Sequence, residues 1–177
     1  FRIAGYARYQ SWEEFSHDLA QSFRQKQLPA HAQELPDSQK FETLRALSFF
    51  SEFSDIQLWE VVRFSTWEDV AANAMVMQDG EPGDHFSFVT EGELAVTKNG
   101  VQLSVLVHGD CVGEMAIIPR MPQRRGADVV ALKDSRLVTI RGDSLQHASD
   151  ACRMHFYQSF LEVLSARLQQ ANLRLAG

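Results

Sequence analysis

The spacing of apolar positions along the chain changes character three times. Near the start, Trp12, Phe15, Leu19 and Phe23 recur at helical spacing behind Ser11 and Glu14, a pair placed as a capping box. Pro29 and Pro36, with small and polar residues between them, predict the end of that helix and a linker. From Phe41 to about Arg63 the helical period returns in short pieces. Ser54 is placed as an N-cap with Gln57 three residues on, ahead of a wide apolar face of Ile56, Leu58, Trp59, Val61 and Val62.

Between Phe64 and Ile140 the period becomes that of short strands. Stretches rich in Val, Ile, Phe and Thr cover 74–78, 86–90, 93–98, 101–107, 128–132 and 137–140. Turn signals separate them, and Asn99–Gly100 between two such runs predicts a tight hairpin. Many short strands with regular turns and no alternating long helices predict a mainly β fold with flanking helices: a sandwich, jelly roll or barrel. The last region, from Asp143 to Leu175, reads as helical throughout. Met154, Tyr157, Leu161, Leu164, Leu168, Ala171 and Leu175 form a heptad seam, with Phe156, Phe160 and Val163 as a second stripe beside it. One stripe is expected to pack on the strands and the other to meet a partner helix; a single wide stripe serving the core is the alternative. Three regions result: 1–40, an N-terminal helix and linker ascribed to the tail of an upstream domain; 41–142, the strand-rich domain with its opening helices; and 143–177, the C-terminal helices.

Composition narrows the partners. A chain of 177 residues at 45% hydrophobic content can bury one good core with helical decoration. A net charge of −6 argues against a surface built for nucleic acid or anionic lipid. No apolar run approaches the roughly 18 residues of a membrane span, and no leader pattern opens the chain. Its first residue is Phe1 rather than methionine, which predicts a piece of a longer protein. Cys111 and Cys152 are far apart without a CxxC, which predicts reduced, buried thiols and a cytoplasmic setting.

The chemistry concentrates in residues 109–131, GDCVGEMAIIPRMPQRRGADVVA. Gly113-Glu114-Met115-Ala116 reads as a short helical turn after a strand, limited by Pro119; Arg124 and Arg125 then precede a fresh strand. Glycine lets backbone approach a ligand closely, and the first amides of a helical turn face outward unsatisfied. Such amides suit a phosphate, and an arginine arriving from the far end of the loop supplies a charge-assisted bond to the same anion. A carboxylate beside a phosphate must aim elsewhere, and a ribose hydroxyl fits Glu114. A singly charged phosphodiester close to a free 2′-OH satisfies all three groups. A 3′,5′-cyclic nucleotide is such a ligand.

This stretch resembles the phosphate-binding cassette of cyclic-nucleotide-binding domains, the family of the catabolite activator protein and the regulatory subunit of cAMP-dependent protein kinase. The cassette's Gly-Glu-x-Ala appears as Gly113-Glu114-Met115-Ala116, and its Arg-small-Ala as Arg125-Gly126-Ala127 leading into a strand. Upstream, DGEPGDHFSFVTEGELAV is similar to the family's glycine-rich strand–turn–strand, with Gly80, Gly83, Asp84, Phe86 and Gly92 at matching places, and LSFFSEFSDIQL to its opening helices. The resemblance covers about 41–175 and implies a β-roll, jelly-roll-like, with helices at both ends. It implies that Glu114 takes the ribose 2′-OH and Arg125 the exocyclic phosphate oxygens, with amides around Gly113, Ala116 and Ala127 completing the anion site. Met115 and Gly126 are the remaining ligand-binding positions. The loop 117–124 is longer than in many members and holds a further candidate, Arg124. Gly126 stands where cGMP-preferring members often carry Thr or Ser, so cAMP is expected over cGMP. Phe156, Tyr157 and Phe160 are candidates to shield the base.

Other chemistry is thin. The six histidines, at 17, 31, 85, 108, 147 and 155, lie in no metal-ligand spacing. No nucleophile elbow, P-loop or kinase signature occurs, so neither an enzymatic role nor a metal or other cofactor is expected of this chain. Residues 9–23, YQSWEEFSHDLAQSF, resemble the tail that follows bacterial Ser/Thr kinase catalytic domains, which implies a kinase as the attached effector. The expected partners are thus a cyclic nucleotide, a second copy through the C-terminal helix, and an effector domain. The alternatives are the sensor half of a catabolite-activator-type transcription regulator and a nucleotide-free dimerisation module.

Overall fold

The computed structural model describes residues 34–114 and 124–176. The helix and linker read in 1–33 lie outside the described residues. Helix α1 (Asp37–Ala46) starts ahead of Phe41, where the apolar period begins. The carbonyl of Pro36 accepts from Gln39 N and Lys40 N at 2.9 and 3.0 Å, so a polar first turn precedes the apolar face. A 3-10 turn (Ser48–Phe50) leads to α2 (Asp55–Phe64). Its start is the expected capping box: Gln57 N donates to Ser54 Oγ, and Ser54 N donates to Gln57 Oε1 at 3.0 Å.

Eight strands follow: β1 (Thr66–Val70), β2 (Met75–Met77), β3 (His85–Glu91), β4 (Leu94–Lys98), β5 (Val101–Leu106), β6 (Cys111–Val112), β7 (Asp128–Ala131) and β8 (Ser135–Arg141). They form two antiparallel four-stranded sheets, ordered β1-β8-β3-β6 and β2-β7-β4-β5. The fold is thus mainly β with flanking helices, as expected. Asn99 and Gly100 have φ of 51° and 77°, and this left-handed pair closes the β4–β5 hairpin with Lys98 opposite Val101. The sequence pattern did not point to β1, whose TWEDV is too polar to register, or to the two-residue β6.

The central strands are apolar on both faces because each face meets a different core. Phe86 and Phe88 of β3, with Val138 and Ile140 of β8, join a cluster made with the helices. Val89 and Leu137 point the other way, into a cluster with Met77, Leu94, Leu106 and Val129 of the second sheet. Alternation of side chains along a strand produces this division. The helical cluster is built on phenylalanine: ring centroids of Phe49 and Phe88 lie 4.6 Å apart, Phe86 and Phe160 5.0 Å, and Phe53 and Phe156 5.1 Å.

The C-terminal region is not helical throughout. Helix α3 (Gly142–Gln146) stops, and α4 (Asp150–Ala176) starts anew after Ser149. Ser149 Oγ accepts from Cys152 N at 3.2 Å, an N-cap inside the helical stretch. Glu60 of α2 binds the same cap, with Ser149 Oγ donating to its Oε2 at 2.8 Å. Phe156 and Phe160 of α4 enter the core, whereas Met154, Leu161 and Leu168 remain exposed at 65%, 69% and 63%. The second stripe therefore serves the core, and half of the heptad seam faces outward.

Removing a fully buried ring at the helix–sheet junction should outweigh removing a cap. Phe156→Ala is expected to cost about 3–5 kcal/mol through the cavity it leaves, and Ser54→Ala about 1 kcal/mol. Equilibrium urea unfolding measures both, and equal losses would contradict the packing described.

Candidate functional site

A cavity of about 940 Å³ opens between the second sheet and α4. Its floor comes from the ends of strands: Gly113 and Glu114 follow β6, and Arg125, Gly126 and Ala127 precede β7. These five of the seven sequence-predicted site residues line this one space. The other two, Met115 and Ala116, lie outside the described residues, as does most of the loop that Arg124 ends.

Arg125 is the best-anchored side chain of the site. Its own backbone is clamped to the turn after β2: Arg125 N donates to Glu81 O and Gly80 N to Arg125 O, each at 2.8 Å. The residue is only 9% exposed, and Nη2 donates to the carbonyl of His85 at 2.8 Å. Two glycines make the space for it. A Cβ on Gly83 would lie 2.6 Å from Arg125 Cζ, and one on Gly113 would lie 2.5 Å from Nη1. Gly113 also has φ +83°, which disfavours any side chain there. Gly83, part of the glycine-rich strand–turn–strand read from the sequence, is thus a close-approach residue. Arg124 departs from this arrangement: it is exposed and donates from Nη1 to Gly80 O at 2.7 Å.

Burial pulls the Arg125 guanidinium below the ordinary arginine value, against the opposing pull of Asp84, Glu81 and Glu114. Among the described residues no carboxylate reaches ion-pair distance of it. A guanidinium has five N–H donors, so one carbonyl leaves it well short of saturation. The guanidinium is thus fixed in position with donors to spare.

Glu114 faces the same cavity, with its side chain 13% exposed. Its Oε1 accepts from Arg167 Nη1 of α4 at 2.5 Å. Nη2 of the same guanidinium donates to Cys111 O, so α4 is forked onto the first residue of β6 and onto Glu114 in the turn after it. Burial pulls the Arg167 value down, but Glu114, Cys111 and Asp110 together outweigh it and hold the cation above its usual range. Sequence reasoning did not find Arg167. The signal was its place on one helical face with Ser159, Val163, Gln170 and Arg174, all of which line the cavity.

The expected base-shielding residues do not line this cavity. Phe156 and Phe160 are buried in the helical core, and the Tyr157 hydroxyl accepts from Gln146 Nε2 at 3.2 Å. In their place the α4 wall presents Val163, Ala166 and Ala171 beside polar Gln170 and Arg174. Opposite, Val96, Leu103 and Val105 of the second sheet give an apolar patch. The cavity thus has a charged end and an apolar end.

The remaining titratable groups are engaged locally. His85 Nδ1 lies 2.9 Å from Asp84 Oδ1, and His108 Nδ1 lies 2.7 Å from Thr90 O. Among the described residues no group of His, Cys, Asp or Glu could hold a metal ion, and no helix is long and apolar enough to cross a membrane. Cys111 and Cys152 are free and buried, as the sequence predicts. Burial, then the Glu114 carboxylate, pushes the Cys111 thiol up to about 12; burial, then Glu60, does the same for Cys152.

Comparison with known proteins agrees with this architecture. Residues 67–151 match the family described as Cyclic nucleotide-binding domain. The chain is 31% identical over 125 residues to the cGMP-dependent protein kinase egl-4 of Caenorhabditis briggsae, covering 71% of this chain but 16% of that protein. It is 34% identical over 123 residues to the cAMP-dependent protein kinase regulatory subunit of Blastocladiella emersonii, covering 64% of this chain and 30% of that one. In fold it is similar to a cyclic nucleotide-binding domain from Methylobacillus flagellatus, with a TM-score of 0.68 at 20% identity, over 79% of this chain and 82% of the other. The regulatory domain of Toxoplasma gondii PKA with cAMP superposes with a TM-score of 0.62 at 20% identity, over 76% of this chain and 50% of that one. The shared fold is the β-roll expected from the sequence.

Two outcomes follow from the packing around Arg125 and Cys111. Gly113→Ala should destabilise by about 1–3 kcal/mol, since it forces a strained backbone and displaces the arginine. Gly126→Ala meets nothing within 4 Å and should stay within about 0.5 kcal/mol, both read by urea unfolding. Neither cysteine should react with iodoacetamide at pH 8 in the native protein, while both should react in denaturant. Fast native labelling, followed by mass spectrometry, would contradict the burial.

Proposed function

Since residues 67–151 belong to the cyclic nucleotide-binding domain family, we propose that this chain captures a 3′,5′-cyclic nucleotide and reports it to an attached effector. Arg125 binds the exocyclic phosphate oxygens, and Glu114 accepts a hydrogen bond from the ribose 2′-OH. Amides of Gly113, Ala116 and Ala127 complete the anion site, with Met115 and Gly126 beside them. One observation carries the reading: a buried, undersaturated guanidinium and a carboxylate line a single cavity, with Gly113, which precedes the carboxylate in sequence, close against the guanidinium. The apolar end formed by Val96, Leu103 and Val105 suits a nucleobase. Gly126 carries no hydroxyl to reach guanine, which supports cAMP over cGMP.

The domain acts as a regulatory module rather than a catalyst. Ligand and α4 share the cavity, so any difference in nucleotide affinity between two positions of α4 shifts their populations. Two relatives named as protein kinases or kinase regulatory subunits support a Ser/Thr kinase as the effector. The chain spans only about a sixth to a third of their lengths, so that assignment extends beyond what it aligns with. Free buried thiols suit a reducing compartment such as the cytoplasm.

A second reading accompanies the first, that α4 forms a homodimer. Met154, Leu161, Leu168 and Leu175 recur every seven residues, all exposed, on a 27-residue helix. A sustained heptad of open apolar side chains is what a coiled-coil partner covers.

Isothermal titration with cAMP and cGMP tests the capture. The wild type should bind cAMP the more tightly, and Arg125→Ala should lose about 1.5–3 kcal/mol of binding free energy. No heat from either nucleotide at millimolar concentration would overturn the proposal. Sedimentation should show a dimer that Leu161→Glu with Leu168→Glu converts to monomer.

A further inference from the structure

Resting on the nucleotide reading of the site, the geometry points to Arg124 as its steering residue: an exposed cation at the rim that speeds the arrival of an anionic nucleotide without contacting it once bound. Arg124 and Arg125 are neighbours in the chain but not in role. Arg124 forms an antiparallel bridge with Pro82, so the backbone there is extended and successive side chains leave on opposite sides. Arg125 is sent inward, against Gly83 and Gly113, with Nη2 on the carbonyl of His85. Arg124 is sent outward: it is exposed, and its Nη1 donates to Gly80 O at 2.7 Å. Both residues nevertheless line the cavity. One sits at its floor and the other at its mouth.

The surroundings give that outer cation a task. The chain carries a net charge of −6, and Glu81, Asp84 and Glu114 all act through space on the Arg125 guanidinium. A phosphodiester drawn to Arg125 is repelled by the same carboxylates. Asp84 is offset by Arg141, and Glu114 by Arg167. Glu81 is exposed and has no ion-pair partner among the described residues. It directly precedes Pro82, the bridge partner of Arg124, which places Arg124 to offset it. The bond to Gly80 O orients the guanidinium without neutralising it, since a carbonyl carries no net charge. An exposed charge acts over a Debye length, about 10 Å at 0.1 M salt. Such a charge changes the rate of encounter, whereas a buried one changes the rate of release.

Stopped-flow fluorescence with a cAMP carrying a fluorophore at C8 reads arrival and departure separately. Arg124→Gln and Arg124→Lys both keep an N–H for Gly80 O, and only the lysine keeps the charge. At low ionic strength Arg124→Gln should slow association about three- to fivefold, and Arg124→Lys should stay within about twofold of wild type. Dissociation should be unchanged in both. Glu81→Gln leaves in place the backbone carbonyl that accepts from Arg125 N, and it should speed association by a similar factor. At about 1 M salt the screening length falls to about 3 Å, and all these association rates should converge. Slow association of Arg124→Gln that persists in high salt, or faster dissociation, would make Arg124 a contact or structural residue. Either result overturns the inference and leaves nucleotide capture intact. So does Arg124→Lys as slow as Arg124→Gln, or Glu81→Gln no faster than wild type, since neither is compatible with a field effect. A wild type that does not bind the nucleotide removes the proposed function, and this inference with it.

Discussion

A guanidinium taken out of water must be surrounded by groups that tolerate it, and that demand organises the site. Arg125 is held by its backbone to the turn after β2 and by its side chain to the carbonyl of His85 at the start of β3. Two glycines, at 83 and 113, exist at those positions in the only form the space accepts. Strand ends from both sheets converge here, so the β-roll is what brings a loop from before β3, the end of β6 and the start of β7 within reach of one charge. Burying a charge beside only a carbonyl costs stability. The remainder of the domain, with two apolar cores sharing one sheet, supplies what offsets it.

Features decided by neighbouring residues were legible in the sequence, and features decided across the fold were not. The Ser54–Gln57 box and the Asn99–Gly100 hairpin depend on a few consecutive residues, and both stand as read. The strand periods show because β3, β4, β7 and β8 carry apolar residues on one or both faces. β1 escaped because its polar TWEDV takes its place from pairing with β8 rather than from its own pattern. Gly113, Glu114, Arg125, Gly126 and Ala127 could be grouped from the motif alone, and the fold does bring them to one cavity. Arg167 could not, since an arginine on a long helix has no local mark of what it will reach 53 residues upstream.

The two stripes of the last helix show how far amphipathic reading goes. Phe156 and Phe160 looked available to cover a ligand, but aromatic packing with Phe49, Phe53 and Phe86 claims them. The helix is about 40 Å long, and its first half is committed to the core while its second half walls the cavity. Periodicity identifies faces; it does not say where along the helix a face changes its neighbour.

The cap at Ser149 gives that helix a fulcrum. Glu60 grips the first turn through Ser149, and Gln57 Oε1 lies 2.8 Å from His155 Nδ1 one turn further on. Two attachments to α2 in the first turns, with Arg167 the distal tether, make α4 a lever pinned near one end. Through these contacts a movement of α4 would reach α2, and through α2 the helix α1 packed against it.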